Sequence, residues 1–297
     1  MRAAWKRSGP FDPLLAECLS KVYLETFRLG AAREVIDHWA AAVPHDAKPW
    51  LWRAEIDGRL DDPVPVLRDY REALRRDPTL IGPRRRYAEG LWADGQIDEA
   101  EHQFSVYLEQ RPDDGEAWLG AARVALARGD RDEASRLLAK GIEINPELAP
   151  LWSERGNLHL ARGDAESALA DLKKAARLDR HDPETQRRLA LALSRLGRDT
   201  DARNSLVESH RLLREKDQLK GLRDRLRRQP NDRDAQVAAA RWLIEHDHAD
   251  EGLRWAKKVL TEDPVNQAMH ALLAEFYQAQ GELGLANFHR LKLKEGR

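Results

Sequence analysis

Apolar residues recur every three or four positions along most of the chain, as in Leu119, Ala122 and Leu126 and again in Leu189, Leu193 and Leu196. That spacing lines one face of an α-helix, and no run alternates every second residue as a half-buried strand would. The helical stretches are short and are cut at regular intervals. Gly95, Gly129, Gly163 and Gly197 each stand 34 residues after the last, and an alanine follows each by five: Ala100, Ala134, Ala168 and Ala202. Pro44, Pro78, Pro112 and Pro146 keep the same period. Pro230 and Pro264 resume it, and Gly281 with Ala286 completes it.

Each mark has a physical role. Glycine ends a helix where the backbone needs positive φ, which a residue without Cβ adopts at least cost. Asp130 and Asp164 follow directly as N-cap acceptors for the next helix. Glu133, three residues past Asp130, predicts a capping box. The small alanine lets two helices approach closely, and the proline closes the second helix. Each period is therefore a helix–turn–helix hairpin.

A 34-residue helical hairpin with these landmarks resembles the tetratricopeptide repeat family. One unit carries Trp152, Gly156, His159, Ala168, Leu172 and Ala175, and another Trp118, Ala122, Ala125, Ala134, Leu138 and Pro146. A third has Tyr87, Ala88, Leu91, Ala100, Phe104 and Pro112, and the last has Leu273, Ala274, Tyr277 and Ala286. The resemblance implies an all-α, right-handed superhelical solenoid of about eight repeats. They begin near Pro13, Ala47, Ile81, Gly115, Ala149, Pro183, Arg233 and Gln267. The first unit is degenerate, with its turn expected at Gly30, three residues late. The second has Asp61-Asp62-Pro63 in place of the turn glycine, and the seventh has His246-Asp247-His248.

The period breaks once. After the landmark position held by Arg180 the next is expected at 214, but the proline that resumes the period is Pro230, so about sixteen residues are inserted. Asp201 to Arg228 has no proline, and Leu212, Leu219, Leu222 and Leu226 keep a helical stripe. This predicts one extended second helix near 199–228, about 24 Å longer than its peers. The alternative is a separate helix starting near Asp217. The expected organisation is a single repeat domain over 1–297, with N-terminal units 13–198, the long helix 199–228 and C-terminal units 230–297.

Composition changes this picture little. Charged residues make up 34% and hydrophobic ones 42%, with a net charge of −1. The chain is too apolar to be disordered and too polar to sit in a membrane, and no global field draws it to DNA or lipid. The single cysteine, Cys18, lies among Leu14, Leu15, Leu19 and Val22 and reads as a small core residue. It forms no internal disulfide. Residues 1–10 are basic without an apolar run behind them, so they do not read as a signal peptide. The expected location is the cytoplasm, with an exported or membrane-anchored precursor open if the N-terminus is incomplete.

Candidate chemistry is sparse. There is no His-Glu-x-x-His, phosphate loop, nucleophile elbow or dinucleotide fingerprint. His246 and His248 mark a hydrophilic turn, and Asp61-Asp62 and Asp113-Asp114 fall where helix capping explains them. We expect no catalytic residue, no cofactor and no metal: the chain is not an enzyme. Of the nine tryptophans, Trp50, Trp118 and Trp152 share one repeat position and read as packing residues. Trp242 and Trp255 are expected to pack between the C-terminal units.

The resemblance also implies an inner wall lined by the second, fifth, ninth and twelfth residues of each repeat. Those positions are Lys48, Glu55, Arg85, Glu89, Trp92, Arg123, Ser153, Asn157, Arg187 and Ser194. Independently of it, Arg85, Glu89 and Trp92 are spaced to share one helix face. Lys48, Arg85, Glu89, Trp92, Arg123, Asn157 and Arg187 form the candidate peptide groove. Its arginines hold carboxylates by two-point contact, and Asn157 bonds a peptide backbone. The carboxylate clamp of chaperone-binding family members is not reproduced: Asn157 matches, but Ser153 and Arg188 stand where the clamp has Lys and Asn.

The leading expectation is a scaffold or adaptor, of bacterial type, that binds an extended peptide or helix of another protein in this groove. A second is self-assembly through the last unit, where Leu283, Leu285 and Phe288 have no further helix to cover them. A third is contact with nucleic acid or an anionic surface through the basic stretch 203–228, which lacks the interleaved aromatics that bases stack on.

Overall fold

In the computed structural model, residues 11–26, 28–59, 63–246 and 248–295 are described. Asp61, Asp62, Asp247, Arg297 and residues 1–10 lie outside them. The described residues form sixteen α-helices and no strand, an all-α repeat solenoid. The helices are α1 (Pro13–Glu25), α2 (Leu29–Ala42), α3 (Lys48–Arg59), α4 (Pro63–Arg76), α5 (Arg84–Ala93), α6 (Ile97–Gln110), α7 (Gly115–Ala127) and α8 (Arg131–Ile144). They continue as α9 (Ala149–Ala161), α10 (Ala165–Leu178), α11 (Pro183–Arg195), α12 (Asp199–Arg228), α13 (Arg233–Glu245), α14 (Ala249–Glu262), α15 (Gln267–Ala279) and α16 (Leu283–Glu295). They group into two compact units, residues 1–62 with 218–297, and residues 63–217.

The turns inside the hairpins follow one rule. Gly95, Gly129, Gly163, Gly197 and Gly281 all have φ between 71° and 84°. The amide three residues past the helix end returns to a carbonyl five residues back, as in Gln96 to Leu91, Asp130 to Ala125 and Glu282 to Tyr277. This is the six-to-one bond of a Schellman ending. Two of the three atypical units keep it without glycine: Arg28 bonds Tyr23 and His248 bonds Leu243, while the turn of the second lies outside the described residues. The first unit is therefore in register, and its turn does not fall at Gly30. Gly30 sits in the first turn of α2, because the bond from Arg28 has already closed α1.

Asp114, Asp130, Asp164, Asp182 and Asp232 cap the helices that follow them. At Asp130 only half of the expected capping box forms. Its carboxylate accepts from the Glu133 amide at 2.9 Å, but the Glu133 side chain pairs with Arg136. The Asp130 amide is already committed to Ala125, so Glu133 has no donor to return to.

A second rule, which the periodicity did not show, fastens the turns between repeats. The fourth residue of a repeat donates a side-chain hydrogen bond to the carbonyl of the proline six residues earlier. Trp118 reaches Pro112 and Trp152 reaches Pro146, each through Nε1 at 2.8 Å. Gln236 reaches Pro230 at 2.7 Å, His270 reaches Pro264 at 2.9 Å, and Arg84 reaches Pro78. Four side-chain types thus play the same part, since each satisfies a carbonyl that has left the helical ladder. The tryptophans at this position bond as well as pack.

The core repeats with the sequence. Ala100, Ala134, Ala168 and Ala286 are fully buried where paired helices cross, and Leu138 packs with Leu119, Leu151 and Leu158 across the α7–α8–α9 boundary. Each hairpin buries its apolar face against its neighbours. In the C-terminal helices Trp255 is buried and Trp242 packs at the margin of the same cluster.

Cys18 departs from expectation: it is exposed. The α1 face that carries it also exposes Leu14 (71%) and Val22 (52%), while Ala16, Ser20, Tyr23 and Leu24 face inward. Among the described residues no helix precedes α1 to cover that face.

The insertion is one continuous helix. α12 has 30 residues, against 14 in α6, α8 and α10, and no break occurs at Asp217. Leu219 and Leu226 are buried in the cluster formed with α13, α14 and α15.

Candidate functional site

The side chains of the expected inner wall come from the first helices of consecutive hairpins. Because each hairpin repeats the geometry of the last, residues about 34 apart become neighbours. In residues 63–217, α5, α7, α9 and α11 bring most of the candidate residues into one row.

Arg85 on α5 bonds Glu89 one turn on at 2.7 Å, and it reaches across to Asp114 at 3.3 Å and to Glu116. Burial disfavours its charge, yet Glu89, Glu116 and Asp114 together hold its pKa above the ordinary value. Glu89 is pushed up, first by burial and then by Glu116, against the pull of Arg85. Trp92, one turn further along α5, lies under the guanidinium of Arg123 on α7, with Cζ 5.5 Å from the ring centroid. Arg123 also donates to Glu154 on α9 at 3.2 Å.

Glu154 is the hinge of the row. It is 8% exposed, and it meets Arg123 on one side and Arg188 of α11 on the other at 3.3 Å. Arg188 continues to Glu184 at 2.8 Å, and Glu184 holds Arg187 through two bonds of 2.6 and 2.7 Å. The Arg187 contact, ahead of the others, keeps the Glu184 carboxyl below its usual range. A continuous path therefore runs Trp92, Arg123, Glu154, Arg188, Glu184, Arg187 across α5, α7, α9 and α11. Ser153 is buried beside it, hydrogen-bonded with the Thr185 hydroxyl at 2.7 Å and accepting from Arg188 at 3.2 Å.

Asn157, half-buried on α9 one turn after Ser153 and Glu154, differs from its neighbours. Among the described residues its side-chain amide has no hydrogen-bond partner. Lys48 belongs to the other unit: it lies on α3 and bonds Glu17 of α1 at 2.6 Å, which raises its pKa. The structure thus joins Trp92, Arg123 and Arg187 in one network through Glu154, Arg188 and Glu184, holds Arg85 and Glu89 in a second with Asp114 and Glu116, leaves Asn157 without a partner among the described residues beside the first, and places Lys48 in a separate pair.

Glu154 and Arg188 were not among the expected wall residues. Both occupy the sixth repeat position, in successive repeats, with opposite sign. That 34-residue pairing of charges was the signal available in the sequence.

Part of the basic stretch of α12 is paired with carboxylates. Arg211 bonds Glu208 at 2.6 Å, Arg223 bonds Glu251 at 3.3 Å, Arg225 bonds Asp232, and Arg227 bonds Asp224. Among the described residues no cluster of three or more His, Cys, Asp or Glu is placed to hold a metal ion. Among them, too, no helix is long and apolar enough to cross a membrane.

Two family models match, both described as tetratricopeptide repeat, over residues 91–154 and 149–182. No curated protein matches the chain significantly. Among solved structures, the chain is similar to PilW, a widely conserved type IV pilus biogenesis factor. The TM-score is 0.56 at 19% identity, with 65% of this chain and 89% of that one covered. It is also similar to MamA residues 41 to the end from Desulfovibrio magneticus RS-1. There the TM-score is 0.52 at 17% identity, covering 56% of this chain and 94% of that one. At such identities the likeness establishes the fold.

Proposed function

We propose that this chain, a tetratricopeptide repeat protein and protein–protein interaction scaffold, is non-catalytic and grips an extended segment of a partner along the wall formed by α5, α7, α9 and α11. The observation that carries the reading is the contrast between Asn157 and its surroundings. Arg123, Glu154, Arg188, Glu184 and Arg187 are paired with one another, which pre-orders the wall, while among the described residues the Asn157 amide has no partner for its donors or its acceptor. Such an amide bonds a peptide main chain in two places, and a pre-ordered wall loses little entropy on binding. Trp92 supplies an apolar surface at the α5 end of the wall, beneath Arg123.

The occupant that suits this wall is an extended backbone with an acidic side chain that shares Arg123 or Arg187 with its resident carboxylate. Phage-displayed peptides selected on the protein test the idea. Asn157→Ala is expected to leave the helical circular dichroism unchanged and to weaken the selected peptides about tenfold, the loss of one to two buried hydrogen bonds. Arg123→Ala is expected to weaken the acidic ones further. Peptides that bind both variants as tightly as the parent would remove the groove as the site.

A second reading is favoured by one observation. On α16, Leu283 (61%), Phe288 (50%) and Leu291 (58%) are exposed together, an apolar area of the kind that self-association covers. A monomer by light scattering at high micromolar concentration would rule it out.

A further inference from the structure

Three repeats carry tryptophan at the fourth position, and two of them cover its ring with an arginine from the seventh. Arg53 sits over Trp50 with Cζ 4.2 Å from the centroid, and Arg155 sits over Trp152 at 4.7 Å. Arg155 is also held by Asp171 of α10 through two bonds of 2.7 Å. The Asp171 bond is the main cause of its raised pKa. The third repeat is different. Its seventh residue is Ala121, and Leu137 replaces the acid equivalent to Asp171. Beside Trp118 there is instead a pocket of about 490 Å³, floored by Phe104, Ala121 and Leu137.

Three carboxylates line the same pocket: Glu101, Glu109 and Glu133. Glu101 pairs with Arg128 and Glu133 with Arg136, but Glu109 is exposed and has no partner among the described residues. No basic side chain lines the pocket. The Trp118 indole is locked by its bond to the Pro112 carbonyl, so the ring is pre-oriented.

We propose that this pocket is a receptor for an arginine side chain of a partner protein. The incoming guanidinium takes the place over Trp118 that Arg155 takes over Trp152, and its charge is met by Glu109 and the neighbouring rim carboxylates. The apolar floor accepts the methylene stem, which favours arginine over a bare cation. The pocket lies on the opposite side of α7 from Arg123, since Trp118, Ala121 and Ala125 are spaced half a helical turn from it. It is therefore a second contact point, separate from the wall that carries Asn157, and its failure would leave that reading intact.

The test uses the full chain, labelled with nitrogen-15, with the Trp118 indole resonance assigned from Trp118→Phe. The probe is a blocked pentapeptide, Gly-Gly-Arg-Gly-Gly, titrated through the millimolar range. Its counterpart carries citrulline, which has the same shape without the charge. The arginine peptide is expected to shift the Trp118 resonance saturably, with the citrulline peptide about tenfold weaker. Ala121→Arg builds the occupant into the protein as repeat five does, and it is expected to abolish the shift while keeping the fold. Glu109→Gln, a change on an exposed side chain, is expected to weaken the arginine peptide alone. Equal response to citrulline, unaltered binding by Ala121→Arg or Glu109→Gln, or no shift at all would each overturn the proposal. Should Ala121→Arg not fold, the citrulline comparison and Glu109→Gln decide the matter.

Discussion

Trp152 donates its indole N–H to the carbonyl oxygen of Pro146 at 2.8 Å, six residues back and across the turn between two repeats. The same bond recurs from Trp118 to Pro112, and from glutamine and histidine at the equivalent place in later repeats. Removing the donor while keeping most of the ring isolates its worth. Trp152→Phe is expected to cost about 1–2 kcal/mol in urea unfolding, the hydrogen bond plus a small loss of packing. A change within error would show that the Pro146 carbonyl is served equally well by water.

Glu154 separates two guanidinium groups that its removal would leave facing each other. Arg188 is largely buried and Arg123 about one-third exposed, so solvent relieves only part of the cost. Glu154→Gln is expected to destabilise the protein by roughly 2 kcal/mol. It also frees Arg123 and Arg188 for an external carboxylate. Acidic peptides selected on the wall are expected to bind this variant more tightly than the parent, as isothermal calorimetry would read. Unchanged or weaker binding would show that those arginines do not contact the ligand.

His270 and His289 form a buried pair, Nδ1 to Nδ1 at 2.8 Å, between α15 and α16. The Pro264 carbonyl can only accept, so Nε2 of His270 carries its proton and Nδ1 of His270 is the bare acceptor for His289. Burial, then the neighbouring His270, lowers the His289 pKa below 6.5. The unfolded chain therefore binds a proton at a pH where the folded chain does not. This contribution to stability is complete above the unfolded value of 6.5 and is lost as pH falls through the folded value. The protection of α15 and α16 against hydrogen exchange, corrected for the intrinsic rate at each pH, is expected to fall as pH drops below 6.5, and His289→Gln is expected to remove that dependence. An equal pH response in the variant would place the titration elsewhere.

Two glycines that look alike in the sequence should respond oppositely to alanine. A Cβ on Gly120 would lie 2.1 Å from the Phe104 ring, inside a packed helix crossing, whereas one on Gly221 would meet nothing within 4 Å. Gly120→Ala is expected to destabilise by about 1–3 kcal/mol through overpacking. Gly221→Ala, in the middle of α12, is expected to stabilise by about 0.5–1 kcal/mol through helix propensity. Thermal unfolding of the two variants gives the comparison directly, and shifts of the same sign would contradict this assignment of their surroundings.

The repeat architecture was legible because its causes are local. Turn glycine, N-cap aspartate and closing proline each act within five or six residues, so their spacing spells out hairpins such as α7–α8 and α9–α10. The same locality made the long α12 readable from an absence of proline between Asp201 and Arg228. Where the local reading failed, the answer depended on what lay opposite or on backbone bonds that leave no mark in the sequence. Cys18 is exposed because no described helix covers the α1 face that carries it, although its sequence neighbours are apolar. Gly30 is not the turn its residue type suggests, because the Schellman bond in the first unit needs no glycine.

What the sequence determined by itself was the apolar periodicity, where the helices of the regular repeats start and stop, and which residues share one side of a helix. The tertiary structure decided which charges meet: that Arg123 and Arg188 converge on Glu154, that Asn157 is left without a partner among the described residues, and that Trp118 faces a pocket where Trp152 faces an arginine. Electrostatic pairing and pocket formation depend on separations of a few ångströms between residues some thirty positions apart, which only the stacking of one hairpin on the next sets.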